Sequence, residues 1–436
     1  MRTYKSEFLN TLAKRGFIHQ VSEPTETLDS LAAKESITAY IGFDCTAPSL
    51  HVGSLLPIMM LYWLQYYGHR PIALMGGGTT RVGDPSGKDE SRRILTDETI
   101  EQNLQGIRRI FSKFLAFENE PYFNLDLSHP QIQRQGTVTK QAIMANNADW
   151  LNDLKYIDFL REVGQHFSVN RMLSLDSVKL RVEREQELSF LEFNYMVLQA
   201  YDFVELSKRY NCVLQMGGSD QWGNILGGIE LGRRMYRKQL FALTAPLITT
   251  TSGAKMGKTA TGAVWLDPSL LTPYEYWQYW RNTEDGDVAR FLKLFTLLPL
   301  NEIERLAQLK DSEINDAKKV LATEATTLVH GRFAATQAAE TARKTFEEGA
   351  LAETLPTIYW SLETFQGGIG VLDAFQQSGL AKSTGEVRRA MANNAISVND
   401  MKITTHTYQI SVRDLTPRGA VKLSFGRKKH VLLKPK

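Results

Sequence analysis

The sequence predicts an α/β protein organised on a doubly wound parallel sheet, and three observations point to it. Apolar runs of strand length at 37–43 and 71–75 flank a helical pattern at 55–67, the strand, helix, strand order that parallel pairing requires. Each run ends in a turn-forming segment, with His51 and Gly53 beyond the first and Gly76, Gly77 and Gly78 closing the second. Sheet character returns at 213–216 and again ends in glycines, Gly217 and Gly218. Ligands of such sheets sit beyond the carboxyl ends of the strands, where glycine lets the backbone come close.

Taken in order, residues 4–33 carry helical periodicity through Phe8, Leu12, Phe17, Leu28 and Leu31. The 37–43 strand turns through Asp44, Cys45 and Thr46 into His51, Gly53 and Ser54, and the buried helix at 55–67 is broken by Gly68 and Pro71. From about 96 to 210 the chain is helix-rich, with amphipathic stretches at 100–117 and 188–201, and is expected to insert into the sheet domain. A strand at 245–249 leads to Lys255-Met256-Gly257-Lys258-Thr259, which holds two ammonium groups around a glycine. Residues 273–345 are helical again, and 349–356 has the small residues and proline of a linker. A small α/β unit follows, with a helix from near Thr384, a hairpin at 396–403 and a strand at 420–425. The expected domains are 1–250 with a helical insertion at about 120–210, then 251–348, then 357–436.

Composition narrows the class of function. The chain has 436 residues, 43% hydrophobic and 23% charged, as expected of a soluble protein of two or three domains. A net charge of only +3 means that nucleic-acid binding must come from local basic patches, and basicity concentrates at Arg427-Lys428-Lys429-His430 and Lys434-Pro435-Lys436. Cys45 and Cys212 form no disulfide framework and no paired metal-ligand spacing, which fits a reducing cytosol. No apolar run of signal or membrane-span length is present, so a cytoplasmic chain is expected.

The two most informative segments are the His51 turn and the lysine loop at 255–259. The first puts a histidine and backbone donors where a strand passes into a helix. The second adds positive charge. Together they suit a site that grips the phosphates of ATP where pyrophosphate departs.

These segments, with the GDPSGK loop at 83–88, Gln199-Ala200-Tyr201-Asp202 and Gly217-Gly218-Ser219-Asp220-Gln221-Trp222-Gly223-Asn224, resemble the bacterial type of tyrosyl-tRNA synthetase. That family belongs to the class I aminoacyl-tRNA synthetases. The His51 region stands in place of its HIGH motif and 255–259 in place of KMSKS; any one string is weak, but their order and spacing are specific. The resemblance spans nearly the whole chain. It implies a Rossmann-type catalytic domain, a helical domain, and a carboxyl-terminal α+β RNA-binding domain like that of a ribosomal small-subunit protein.

The resemblance also implies roles. Thr46 and His51 would donate to the γ-phosphate, and Lys88, Arg92, Lys255 and Lys258 would surround the pyrophosphate. Tyr40 and Asp202 would hydrogen-bond the phenol of L-tyrosine, while Asp84, Tyr195 and Gln199 bind its ammonium with Thr79 nearby, and Gln221 meets its carboxylate. Gly218 and Asp220 would contact the ribose, Leu247 and Ile248 the adenine, and Gly53 and Ser54 the ATP, with Asp44 and Gln215 in a supporting polar network. Mg2+ is expected to accompany ATP, and no protein-ligated metal is expected.

Two places depart from the family pattern: Ser54 replaces the second histidine of HIGH, and Gly257 the middle serine of KMSKS. Lys382, Arg388 and Arg389 on a loop and helix are the expected RNA-binding side chains. The implied partners are tRNA(Tyr) and a second copy of the chain, with the homodimer contact expected around 149–169. A non-catalytic RNA binder is disfavoured by the retained His51 and lysines. A tryptophan enzyme is disfavoured by Tyr40 with Asp202.

Overall fold

Six strands, Gln20–Val21 (β1), Thr38–Phe43 (β2), Arg70–Met75 (β3), Ile143–Asn146 (β4), Cys212–Gly218 (β5) and Phe241–Ala245 (β6), form one sheet. Its order is β1-β6-β5-β2-β3-β4. β6, β5, β2, β3 and β4 run parallel, and β1 closes the edge antiparallel to β6. From β2 the chain winds outward through β3 and β4, then returns to β5 and winds the other way to β6. The reversal therefore falls between β2 and β5, whose carboxyl ends lie side by side. The computed structural model describes residues 2–85, 95–118, 140–253, 256–259, 262–346, 355–416, 419–426 and 429–436.

The helices that position the site follow from sequence. Leu55–Tyr66 (α1) is buried at every position from Leu55 to Gln65 except Pro57, the burial expected of an apolar helix lying under a parallel sheet. Asp97–Phe111 (α2) is capped by the Thr96 hydroxyl, which accepts from the Thr99 N–H. Phe190–Tyr210 (α3) starts with a Ser189/Glu192 capping box and ends where Asn211 takes a left-handed conformation. Trp222–Tyr236 (α4) follows β5 directly and packs along α3.

Four expectations are corrected. Residues 4–33 are two helices, Glu7–Arg15 and Thr25–Lys34, separated by β1, because Gly16 at φ 87° caps the first helix. The region expected to be helix-rich contains β4, a half-buried edge strand whose four residues carry too little periodicity to betray it. The strand expected at 245–249 is Phe241–Ala245, so Pro246, Leu247 and Ile248 lie beyond its end. The basic stretch at the carboxyl terminus is not all surface: His430 is buried in a strand and hydrogen-bonds Ser424 at 2.8 Å. Arg427 and Lys428 lie outside the described residues, as does most of the expected linker.

The chain divides into two compact units, Met1–Thr272 with Arg281–Gly331, and Pro273–Trp280 with Arg332–Lys436. These boundaries differ from those at 250 and 348 drawn from the sequence. In the second unit, Thr357–Trp360 (β7), Ile396–Val398 (β8), Met401–Lys402 (β9), Val421–Phe425 (β10) and Lys429–Pro435 (β11) form a sheet in the order β9-β8-β10-β11-β7. Val371–Gln377 (α5) and Thr384–Ala392 (α6) bury Val371, Phe375, Val387 and Met391 in its core. The β8–β9 hairpin turns at Asn399 and Asp400, both at positive φ, as the turn chemistry of those residues predicts.

Candidate active site

Beyond the carboxyl ends of β2 and β5 lies a cleft of about 590 Å³. It is lined by Tyr40, Asp44, Thr46, His51, Gly53, Ser54, Thr79, Asp84, Tyr195, Gln199, Asp202, Gly218, Asp220, Gln221, Leu247 and Ile248, every one of them singled out in the sequence. Lys88, Arg92 and Lys255 lie outside the described residues, as does the side chain of Lys258. Lys382, Arg388 and Arg389 are exposed in the second unit, Lys382 in the loop before α6 and the two arginines on it.

The cleft floor is polar and buried. Tyr40 on β2 is 1% exposed, and its hydroxyl has no hydrogen-bond partner among the described residues. An unpaired buried hydroxyl costs about 1–3 kcal/mol, so a group that accepts from it or donates to it is the chemistry this floor fits. Asp202, reaching in from α3, is 2% exposed. Its Oδ1 accepts from the Trp150 indole N–H at 2.7 Å and its Oδ2 from the Asn147 amide at 2.9 Å. Burial pushes the Asp202 carboxyl up to about 7, with those two donors pulling it back. Burial, then the charge of Asp202, also raises the Tyr40 phenol.

Asn147 and Trp150 were not visible as site residues in the sequence. Both follow β4, the strand that sequence periodicity missed, and only that strand brings them against α3. Asn147 is a hub: its Oδ1 accepts from the Gly78 N–H at 2.8 Å, and its Nδ2 donates to Thr79 Oγ1 at 3.0 Å as well as to Asp202. A polar residue directly after a strand was the available signal. Gln215, expected in the supporting network, lies at the β5 position paired with Tyr40, and its Oε1 has no hydrogen-bond partner among the described residues.

One wall carries two carboxylates. Asp44 accepts from Thr79 Oγ1 at 2.9 Å and from the Tyr195 hydroxyl at 3.2 Å. Asp84 ends a chain of amides: Asn224 donates to Gln199 at 3.0 Å, Gln199 to Gln221 at 3.2 Å, and Gln221 to Asp84 at 3.0 Å. This wall is negative and rich in acceptors, suited to an ammonium group.

The cleft is also lined by the His51 turn. His51 caps the turn Val52–Ser54 that opens into α1, its Nδ1 accepting from the Gly53 N–H at 3.0 Å. That bond fixes the hydrogen on Nε2. The two motifs of the sequence meet here through backbone pairing: Val52 N–H donates to Val264 at 2.8 Å, Leu266 N–H donates to Leu50 at 2.9 Å, and His51 pairs with Trp265. Gly257 sits at φ 104° directly against the histidine; a Cβ there would stand 2.9 Å from His51 Nδ1 and 3.1 Å from the Gly53 nitrogen. Glycine at 257 is therefore favoured by both conformation and space, and a side chain there would displace the His51 ring.

Residues 32–347 match the family model described as tRNA synthetases class I (W and Y). The chain is 59% identical over 435 residues to a protein of Mesorhizobium japonicum named tyrosine–tRNA ligase, covering 100% of both chains. It is 60% identical over the same length to a protein of that name from Rhodopseudomonas palustris, again covering 100% of both. A C-terminally truncated mitochondrial tyrosyl-tRNA synthetase of Aspergillus nidulans superposes with a TM-score of 0.68 at 30% identity, over 78% of this chain and 94% of that one. With a parallel sheet that reverses its winding beneath a polar-floored cleft, and a family match over residues 32–347, the chain belongs to the class I tRNA synthetases (W and Y).

Proposed function

We infer that the chain is a tyrosine–tRNA ligase: it activates L-tyrosine with ATP to tyrosyl-adenylate and pyrophosphate, then transfers tyrosine to the 3′ end of tRNA(Tyr). The observation that carries the choice of amino acid is the buried pair at the cleft floor, the Tyr40 hydroxyl without a partner and the Asp202 carboxylate held by Trp150 and Asn147. A phenol hydroxyl donates to Asp202 and accepts from Tyr40, satisfying both. Phenylalanine leaves both unpaired, and an indole has no oxygen to accept the Tyr40 hydrogen.

The reaction needs no general base, since the amino acid carboxylate is ionised and attacks the α-phosphorus in line with the departing pyrophosphate. The protein's part is orientation and charge. Asp84, Tyr195 and Gln199, with Thr79 and Asp44 behind them, hold the ammonium, and Gln221 directs the carboxylate. Gly218 and Asp220 take the ribose, with Leu247 and Ile248 along the adenine. Thr46, His51, Gly53 and Ser54 donate to the phosphates as charge builds, joined by Lys88, Arg92, Lys255 and Lys258. Mg2+ enters with the ATP phosphates.

We further propose that Lys382, Arg388 and Arg389, exposed in the second unit, contact tRNA phosphates. The α6 surface and its five-stranded sheet support an α+β RNA-binding domain like that of a ribosomal small-subunit protein. A homodimer is supported by exposed apolar side chains on and after the 149–169 segment, among them Ile157 at 64% and Val169 at 58%. The described helices include none long and apolar enough to cross a membrane, and the proposed site of action is the cytoplasm. The direct test is tyrosine-dependent exchange of pyrophosphate into ATP, followed by charging of tRNA(Tyr). Exchange with tryptophan and not tyrosine would reverse the assignment.

A further inference from the structure

The Asp202 carboxylate does not end its connections at Trp150. Arg209, two turns further along α3, places its guanidinium over the Trp150 ring, with Cζ 5.4 Å from the ring centroid. Its Nε is fixed by Glu205 at 3.0 Å, and Glu205 in turn takes Lys208 at 3.0 Å. Asp202, Glu205 and Arg209 lie three and four residues apart on one helix, so they share a face. Trp150 is therefore gripped from both sides by α3: its edge N–H by Asp202 and its face by Arg209.

A cation over an indole face draws electron density from the ring and makes the N–H a stronger donor. We propose that Arg209 is a positioning residue for the phenol site: by polarising and seating Trp150 it strengthens the bond that orients the Asp202 carboxylate, and thereby sharpens discrimination of tyrosine from phenylalanine. The inference rests on the reading of Asp202 as the phenol acceptor. Arg209 itself reaches no part of the cleft and its side chain is 45% exposed, so it acts only through Trp150. Other groups also set the charge state of Asp202: Tyr40 from β2, Asn147 beside Trp150, Asp44 across the cleft and Glu205 on its own helix. A valid test must hold these constant.

The test uses the full-length protein with 15N-labelled tryptophan, the Trp150 indole N–H signal being assigned by its loss in Trp150→Phe. In wild type this signal titrates with the Asp202 carboxyl. Arg209→Gln should move the signal upfield and raise its midpoint by about half a pH unit, and Arg209→Lys, which keeps a cation over the ring, should restore most of both. In pyrophosphate exchange Arg209→Gln should lower the tyrosine-over-phenylalanine ratio of kcat/KM by about two- to fivefold, chiefly through KM. That effect should vanish when introduced into Trp150→Phe, because the path is then already broken. An unmoved indole signal in Arg209→Gln, an unchanged ratio in an active enzyme, or an undiminished effect in the Trp150→Phe background would each overturn the proposal. A wild-type protein without tyrosine-dependent exchange would overturn the functional reading instead, while the indole signal still decides the role of Arg209.

Discussion

In the role proposed for them, Tyr40 and Asp202 serve function at a cost to the fold. The Tyr40 hydroxyl lies buried without a partner, so Tyr40→Phe should leave the empty protein as stable or stabilise it by up to about 1–2 kcal/mol in urea unfolding, while raising KM for tyrosine roughly tenfold or more. Loss of stability with unchanged KM would place that hydroxyl in the scaffold. Asp202 carries a second signature. Its carboxyl rises from 3.8 to about 7 on burial, so the folded protein keeps a proton that the unfolded chain releases. Its contribution to stability is thus full below about 4 and lost as pH rises through 7. Tyrosine recognition runs the opposite way, since only the ionised carboxylate accepts from the phenol: kcat/KM for tyrosine should fall as pH drops below about 7. At this scale the sequence singled out residues that sit inside a recognisable string, as Asp202 and Gln221 do, or on the first strand beside one, as Tyr40 does. Asn147 and Trp150 sit in no such string and emerge only when the chain is folded.

At the scale of elements, the two motifs prove to be one structure. The strand-like pairing of 50–52 with 264–266 ties the His51 turn to the chain just past the lysine loop, and Gly257 fills the space between. The sequence marked Gly257 as a departure from the family pattern; the fold gives it a steric and conformational reason, because a Cβ there crowds the His51 ring and the Gly53 nitrogen at a positive φ. Gly257→Ala should therefore reduce the rate of pyrophosphate exchange at least tenfold with little change in tyrosine affinity by equilibrium titration. Equal loss of tyrosine binding would mean that the contact supports the whole cleft. The sheet was legible wherever an apolar run carries its own turn, as β2, β3 and β5 do. It was not legible in β1 and β4, short edge strands of two and four residues whose pairing comes from neighbours and not from their own pattern.

For the whole molecule, charge and stability are coupled through buried histidines. Burial lowers His69 to about 4 and His330 to about 3, so both stay neutral in the fold and take protons on unfolding. Their contribution is present above about 6.5 and lost as pH falls towards those values, on the order of 3 kcal/mol for His69 alone. Against the opposite trend from Asp202, the stability of wild type relative to His69→Gln, measured by urea, should thus fall between pH 6.5 and 4. In the second unit, replacing Lys382, Arg388 and Arg389 together with glutamine should weaken tRNA charging and reduce its salt dependence while leaving pyrophosphate exchange intact. The proposed division of labour between a cleft that chooses the amino acid and a separate basic surface comes from the family resemblance; the packing of buried groups was not legible in the sequence, because burial is a property of the assembled sheet. The most direct measurement is ATP–pyrophosphate exchange with each of tyrosine, phenylalanine and tryptophan, in the wild-type protein and in Asp202→Ala. The predicted result is a kcat/KM for tyrosine that far exceeds those for phenylalanine and tryptophan, reduced at least a hundredfold in Asp202→Ala. Exchange that survives the substitution, or that follows tryptophan, would contradict the account.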